Sequence, residues 1–346
     1  MKRLMLLLGM LSWASFPLIA CPSCNIFNYL GSSIKSSTEI WMVKIVELKA
    51  DYIAKLEVTG VIRGSAEAGH QFEANYYSLN AAVGDALIWS NPTSLPPNFP
   101  IVPAAWEREV RRLAFNLPII DTRTAVEFIQ GISQEVRDAA EGYVMANFDA
   151  CRPHLIAALN QGYASRRDPN WDEFVEHRLE QLVRALLLKG DPAVFPALEG
   201  LIDRIAAEGP DEALASDRPF RGEPEGAILR AMLIFSPESG ETRKRFKQRL
   251  KDKLPEVVGA NVRWFAFALG DSPDSVEWFK SLPQEQQRAA AYGFYDLSRW
   301  HSSWWAHEAS QWCRDAALTL YSGDDLTTLV KKDEDQLSRL RRGSKR

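Results

Sequence analysis

Residues 91–103 read Asn91-Pro92-Thr93-Ser94-Leu95-Pro96-Pro97-Asn98-Phe99-Pro100-Ile101-Val102-Pro103. Proline fixes φ and removes an amide donor, so neither a helix nor a central strand runs easily through such a stretch. It reads as a stiff, extended connector, assigned here to 91–105. The apolar residues on its two sides recur at different periods. Upstream the period is two, downstream it is close to 3.6, and this contrast predicts an α+β chain.

Upstream, Glu39-Ile40-Trp41-Met42-Val43-Lys44-Ile45-Val46-Glu47-Leu48 is β-branched and largely apolar. A polar break at Lys49-Ala50-Asp51 leads to Tyr52-Ile53-Ala54-Lys55-Leu56-Glu57-Val58, which alternates apolar and polar as a half-buried strand does. Gly60 and Arg63-Gly64 mark bends, and Gln71–Tyr77 and Asp85–Trp89 supply two more strands. Short strands with turn signals between them and no intervening helices predict a small antiparallel β-barrel or sandwich over residues 21–90.

Downstream, Trp106, Val110, Leu113 and Leu117 recur at helical spacing beside Glu107, Arg108, Arg111 and Arg112. Helical patterns then continue to about Val330, broken at Gly190-Asp191-Pro192, Ser236-Pro237 and Gly270-Asp271-Ser272-Pro273. The breaks at 191, 237 and 272 are 46 and 35 residues apart, which brackets the period of HEAT-like helix pairs. A HEAT-like array over 106–330 is the expectation, with an irregular helical bundle as the competing reading. Residues 331–346 form a charged tail.

The N-terminus has its own grammar. Lys2 and Arg3 precede an apolar run from Leu4 to Trp13, and Ala14-Ser15-Phe16-Pro17 separates that run from Leu18-Ile19-Ala20. This is the three-part layout of an export signal over residues 1–20, too short to span a bilayer. The expected compartment is therefore the periplasm, the outer membrane or the extracellular space. Losing Lys2 and Arg3 takes the formal charge from −4 to −6, and an acidic chain gives no support to nucleic-acid binding. With 46% hydrophobic and 25% charged residues, the rest reads as globular.

The order of Cys21-Pro22-Ser23-Cys24, the strand Ile40–Leu48, a second strand ending near Gly64 and the Gly84-Asp85-Ala86-Leu87-Ile88 strand resembles bacterial secreted domains related to the netrin and tissue-inhibitor-of-metalloprotease barrels. Arg112-Leu113-Ala114-Phe115 and Val136-Arg137-Asp138-Ala139-Ala140-Glu141 resemble uncharacterised exported proteins that join such a start to HEAT-like helices. The resemblance implies an OB-like barrel followed by that helical region. It implies no activity.

The sharpest chemical feature is Cys21-x-x-Cys24. Leu18-Ile19-Ala20-Cys21 resembles a bacterial lipobox, which would make Cys21 a lipid anchor and the only route to a membrane. The alternatives are a structural disulfide, a redox dithiol, or a metalloprotease inhibitor acting through the Cys21 amine. Those inhibitors begin Cys-x-Cys, a spacing this chain lacks. Cys151 and Cys313 can form a second disulfide in an oxidising compartment or stand as two buried thiols.

The remaining candidates carry bland readings. His70, His154, His177, His301 and His307 are scattered, so neither a metal site nor a cofactor is expected. No Gly-x-Ser-x-Gly elbow, His-Glu-x-x-His pair or phosphate loop is present, and no catalytic residue is assigned. Asp172-Glu173 and Asp324-Asp325 read as helix caps. Tyr292, Phe294, Tyr295, Trp300, Trp304, Trp305 and Trp312 read mostly as core, with some rings free to form a recognition patch. Arg243–Lys253 reads as a solvated basic helix face. The function expected is non-catalytic binding of a protein partner at the cell envelope. Mass spectrometry of the exported chain is expected to find its first residue at Cys21. An acylated mass assigns the lipid anchor and removes the redox and inhibitor readings, whereas an internal start refutes the signal.

Overall fold

The computed structural model describes residues 31, 33–49, 53–75, 82–92, 101–131, 133–165, 175–208, 224–236, 240–270, 274–303 and 307–343. Within them the chain is α+β, a β-sheet followed by a long succession of helices. It divides into two compact units, Met1–Tyr143 and Val144–Arg346. The described residues hold no helix long and apolar enough to cross a membrane.

The first unit is built on β1 (Ser37–Leu48), β2 (Ile53–Arg63), β3 (Gln71–Asn75), β4 (Ala86–Pro92) and β5 (Ile101–Pro103). Their order is β3-β2-β1-β4-β5, and every neighbouring pair is antiparallel. Among the described residues the sheet is open, with β3 and β5 as its edges. The twelve-residue β1 is central, and register shifts interrupt its ladder with β2 at Ile40/Trp41, Met42/Val43 and Ile45/Glu47. Such shifts bend a strand and increase its twist.

One face gathers Trp41, Val43, Ile45, Ala54, Leu56, Val58 and Leu87 into a core, flanked by half-buried Phe72 and Trp89. Trp41 meets Trp89 with ring centroids 4.7 Å apart and Phe72 at 5.4 Å, contacts worth about 1 kcal/mol each beyond area burial. The last three residues of the proline-rich stretch do pair: Leu87 opposes Pro103, Ile88 opposes Val102 and Trp89 opposes Ile101. A proline fits there because an edge strand keeps one row of amides out of the ladder.

After the sheet, the described residues of this unit form α1 (Glu107–Phe115), α2 (Thr122–Ile129) and α3 (Gln134–Ala146), in which the division between units falls. Asp121 caps α2 by accepting from the Thr124 N–H at 2.7 Å. Glu109 of α1 accepts from the Ser133 N–H at 2.6 Å, and Arg137 of α3 donates to the Gly131 carbonyl at 2.9 Å. At the other end, Arg63 Nη1 donates to the carbonyls of Ile34, Lys35 and Ser37 at 3.3, 3.2 and 2.9 Å. It thereby fills the orphan acceptors of the helical turn 33–36.

The second unit contains α4 (Phe148–Ser165), α5 (Val175–Leu187), α6 (Phe195–Ala207), α7 (Pro224–Ile234), α8 (Glu241–Lys253), α9 (Val262–Leu269), α10 (Ser275–Lys280), α11 (Gln284–Ser303), α12 (His307–Leu320) and α13 (Asp324–Gly343). Alternate helices stack: α5 on α7, α7 on α9 and α9 on α11, with α6 beside α8 in a second row. The Gly190-Asp191-Pro192 break works as its residues suggest. Gly190 takes φ +63°, and Asp191 accepts from the Ala193 N–H at 2.9 Å while holding Arg152 of α4 at 2.6 Å.

The crossing of α9 and α11 is close. A Cβ on Gly293 would stand 2.2 Å from the Arg263 carbonyl oxygen and 2.8 Å from Ala266 Cβ. Gly200, on α6, has open space at the same point. Gly293→Ala is therefore expected to lower stability by about 2 kcal/mol despite alanine's helix preference. Gly200→Ala is expected to raise it by about 0.5–1 kcal/mol. Urea melts of the two variants check the sign, and a stabilised Gly293→Ala would refute the crossing.

Candidate functional site

A cluster of ionisable and aromatic side chains lies along α11. Arg288, Tyr292, Tyr295 and Arg299 are spaced so that one helical face carries all four. That face meets α13. Tyr292 donates its hydroxyl to Asp325 Oδ2 at 2.8 Å, and Arg288 Nη2 donates to the same oxygen at 2.7 Å. One turn further along α11 and two along α13, Tyr295 donates to Asp333 Oδ2 at 2.8 Å, with Arg299 Nε 3.4 Å from the same oxygen.

These contacts set the protonation states. Burial would raise Asp325, but the hydrogen bonds from Tyr292 and from the backbone at Leu326, with Arg288 beside it, draw the carboxyl down to about 2. Burial and the Asp325 carboxylate push the Tyr292 phenol up to about 12. Burial, then Asp333, pushes Tyr295 up as well. Both phenols are thus donors at neutral pH and poor nucleophiles, and the Asp325 carboxylate is an acceptor.

A second stripe of α11 faces the core. Asp296 is 1% exposed and its Oδ2 accepts from Arg263 Nε of α9 at 2.6 Å. Burial pushes its carboxyl up, with Arg263 opposing. Its other oxygen, Oδ1, is buried and accepts no hydrogen bond among the described residues. Nearby, the Arg230 guanidinium of α7 lies 4.3 Å from the Trp300 ring centroid and 5.4 Å from that of Phe267. Ser310 of α12 donates to the Ser298 carbonyl at 2.8 Å, and Arg314 donates to Ser310 Oγ at 2.7 Å. The chemistry of this region is donor–acceptor clamping between helices.

The residues expected to carry function are distributed as follows. Cys21 and Cys24 lie outside the described residues. Cys151 is buried in α4, and Cys313 is buried in α12 against Phe267 and Leu297. No disulfide occurs among the described residues. His70 is exposed beside Phe72, His154 is exposed on α4, and His301 is buried against Trp300. Among the described residues no three His, Cys, Asp or Glu side chains converge as a metal site would require. Phe294 and Tyr295 are core, Tyr292, Trp300 and Trp312 are half-buried, and Trp304 and Trp305 lie outside the described residues.

Asp325 is the residue that sequence reading undervalued. Its place at a helix start made it look like a simple cap. The signal that marks it as more is the Arg288, Tyr292, Tyr295, Arg299 stripe, whose donors require acids opposite. Comparison of the chain with known protein families, with curated proteins and with solved structures returned no match.

Because the folded Asp325 carboxyl sits below its ordinary value of 3.8, its contribution is present above about pH 4 and is lost as pH falls through about 2. Asp325→Asn is expected to cost about 1 kcal/mol at neutral pH, allowing for a carboxylate that solvent partly reaches. The gap between the variant and the parent should close near pH 2. A constant gap from pH 7 to pH 2 in denaturant melts would refute the clamp.

Proposed function

We propose that this chain is a non-catalytic protein-interaction protein of the cell envelope. In this reading residues 1–20 export it and Cys21 begins the mature chain, as a lipid anchor or as half of a disulfide. The sheet unit is an OB-like barrel of the netrin and metalloprotease-inhibitor type. The helical unit is a HEAT-like array.

The observation that carries the reading is the stacking of alternate helices, α5–α7–α9–α11 in one row and α6–α8 in another. Helix pairs stacked in this way generate extended surfaces, which such arrays use to bind other proteins. The ionisable side chains of α11 support the same reading. Asp296, Asp325 and Asp333 are each held by arginine or tyrosine donors from another helix, an arrangement suited to rigidity.

Affinity capture with the full exported chain from envelope extract is expected to recover a protein partner in near-stoichiometric amount, displaced by excess untagged chain. Turnover of a dithiol substrate, or inhibition of a zinc protease, with no displaceable partner would overturn the proposal.

A further inference from the structure

Helix α8 carries basic residues on two sides, and the two sides are treated differently. Toward α6 lie Arg245 and Arg249, four residues apart. They are met by Glu199 and Asp203, also four apart, at 2.5 Å (Arg245 Nε to Glu199 Oε1) and 2.7 Å (Arg249 Nη2 to Asp203 Oδ1). Toward α10 lie Lys247 and Lys251, again four apart, and there the neighbour is the half-buried Trp278. Their Nζ atoms stand 5.5 and 4.7 Å from its ring centroid. Neither lysine forms an ion pair among the described residues. The adjacent acid on α10, Glu277, is taken by Lys280 at 2.6 Å.

The orientation of this surface is fixed, because Phe246 and Leu250 of α8 are buried at 0% and hold the helix against rotation. The ring face attracts the ammonium groups and positions them without neutralising them. Each ammonium has three donors, so directions away from the ring stay open to an acceptor. We propose that Lys247, Lys251 and Trp278 form a docking surface for an acidic helical segment of a partner protein. Two carboxylates four residues apart on that segment reach the lysines as Glu199 and Asp203 reach Arg245 and Arg249. The inference rests on the protein-interaction reading above and names the chemistry of the partner. The contact on the other side of the same helix is its template. A lipid surface fits less well, since the apolar residues of α8 face the core and offer nothing to insert.

The test uses the full exported chain and two labelled helical peptides of equal composition. One carries glutamates at four-residue spacing, and the other has them scrambled off that spacing. Fluorescence anisotropy at low salt is expected to show the first peptide binding about tenfold more tightly, with the preference fading as salt rises. Lys247→Gln/Lys251→Gln should abolish the preference, and circular dichroism should confirm that the variant keeps its helices. Equal binding of the two peptides, or an undiminished preference in the variant, would overturn the docking surface. So would vesicles rich in phosphatidylglycerol that sediment the parent but not the variant, since they would assign the patch to a membrane. Envelope capture of a partner unaffected by Lys247→Gln/Lys251→Gln would remove this surface while leaving the protein-interaction reading in place.

Discussion

The helical unit depends on what Arg263 does with both of its ends. Its carbonyl oxygen presses so closely on Gly293 that no side chain fits there, and its guanidinium reaches Asp296 one turn along the same helix. Packing density and a buried charge pair thus act on one crossing. The missing Cβ brings the axes of α9 and α11 together, and the ion pair fixes their register. Neither device works alone, because a charge taken out of water is tolerated only with good geometry and a close partner. The stacking of α5 and α7 on one side, and of α12 on the other, is built outward from this contact.

The α+β character was legible because the apolar period changes on either side of residues 91–103. Alternation in β2 marked Ala54, Leu56 and Val58 as core-facing, and they are buried together with Val43 and Ile45 of the largely apolar β1. β5 was not legible. Ile101-Val102-Pro103 follows four prolines, and its pairing with β4 is a long-range contact that local propensity does not report. The helix breaks could be read because Gly190, Asp191 and Pro192 act locally, through φ, a side-chain cap and a blocked amide.

The site was less legible than the fold, for a physical reason. A cap, a core aromatic and a solvated arginine look alike in sequence whether or not they meet. Tyr292, Tyr295 and the Asp324-Asp325 pair were each visible as types, yet only tertiary packing places the phenols on the carboxylates. The basic run on α8 was similarly ambiguous. Half of it faces acids of a helix about 46 residues earlier, as the separation of Arg245 and Glu199 shows. The N-terminal cysteine pair, the strongest signal in sequence, lies outside the described residues.

The stacked arrangement also bears on how the helical unit comes apart. When each helix rests chiefly on its neighbours in the row, stability behaves as a chain of nearest-neighbour couplings, and the ends are its weakest links. The tyrosine–aspartate seam stands at one such end, where α13 adds polar contacts to α11 beside its own buried Leu326 and Val330. Protonation of Asp325 takes away the one oxygen that Tyr292 and Arg288 share, so acid undoes a contact between helices 33 and 37 residues apart in the chain while the apolar packing beside it stays.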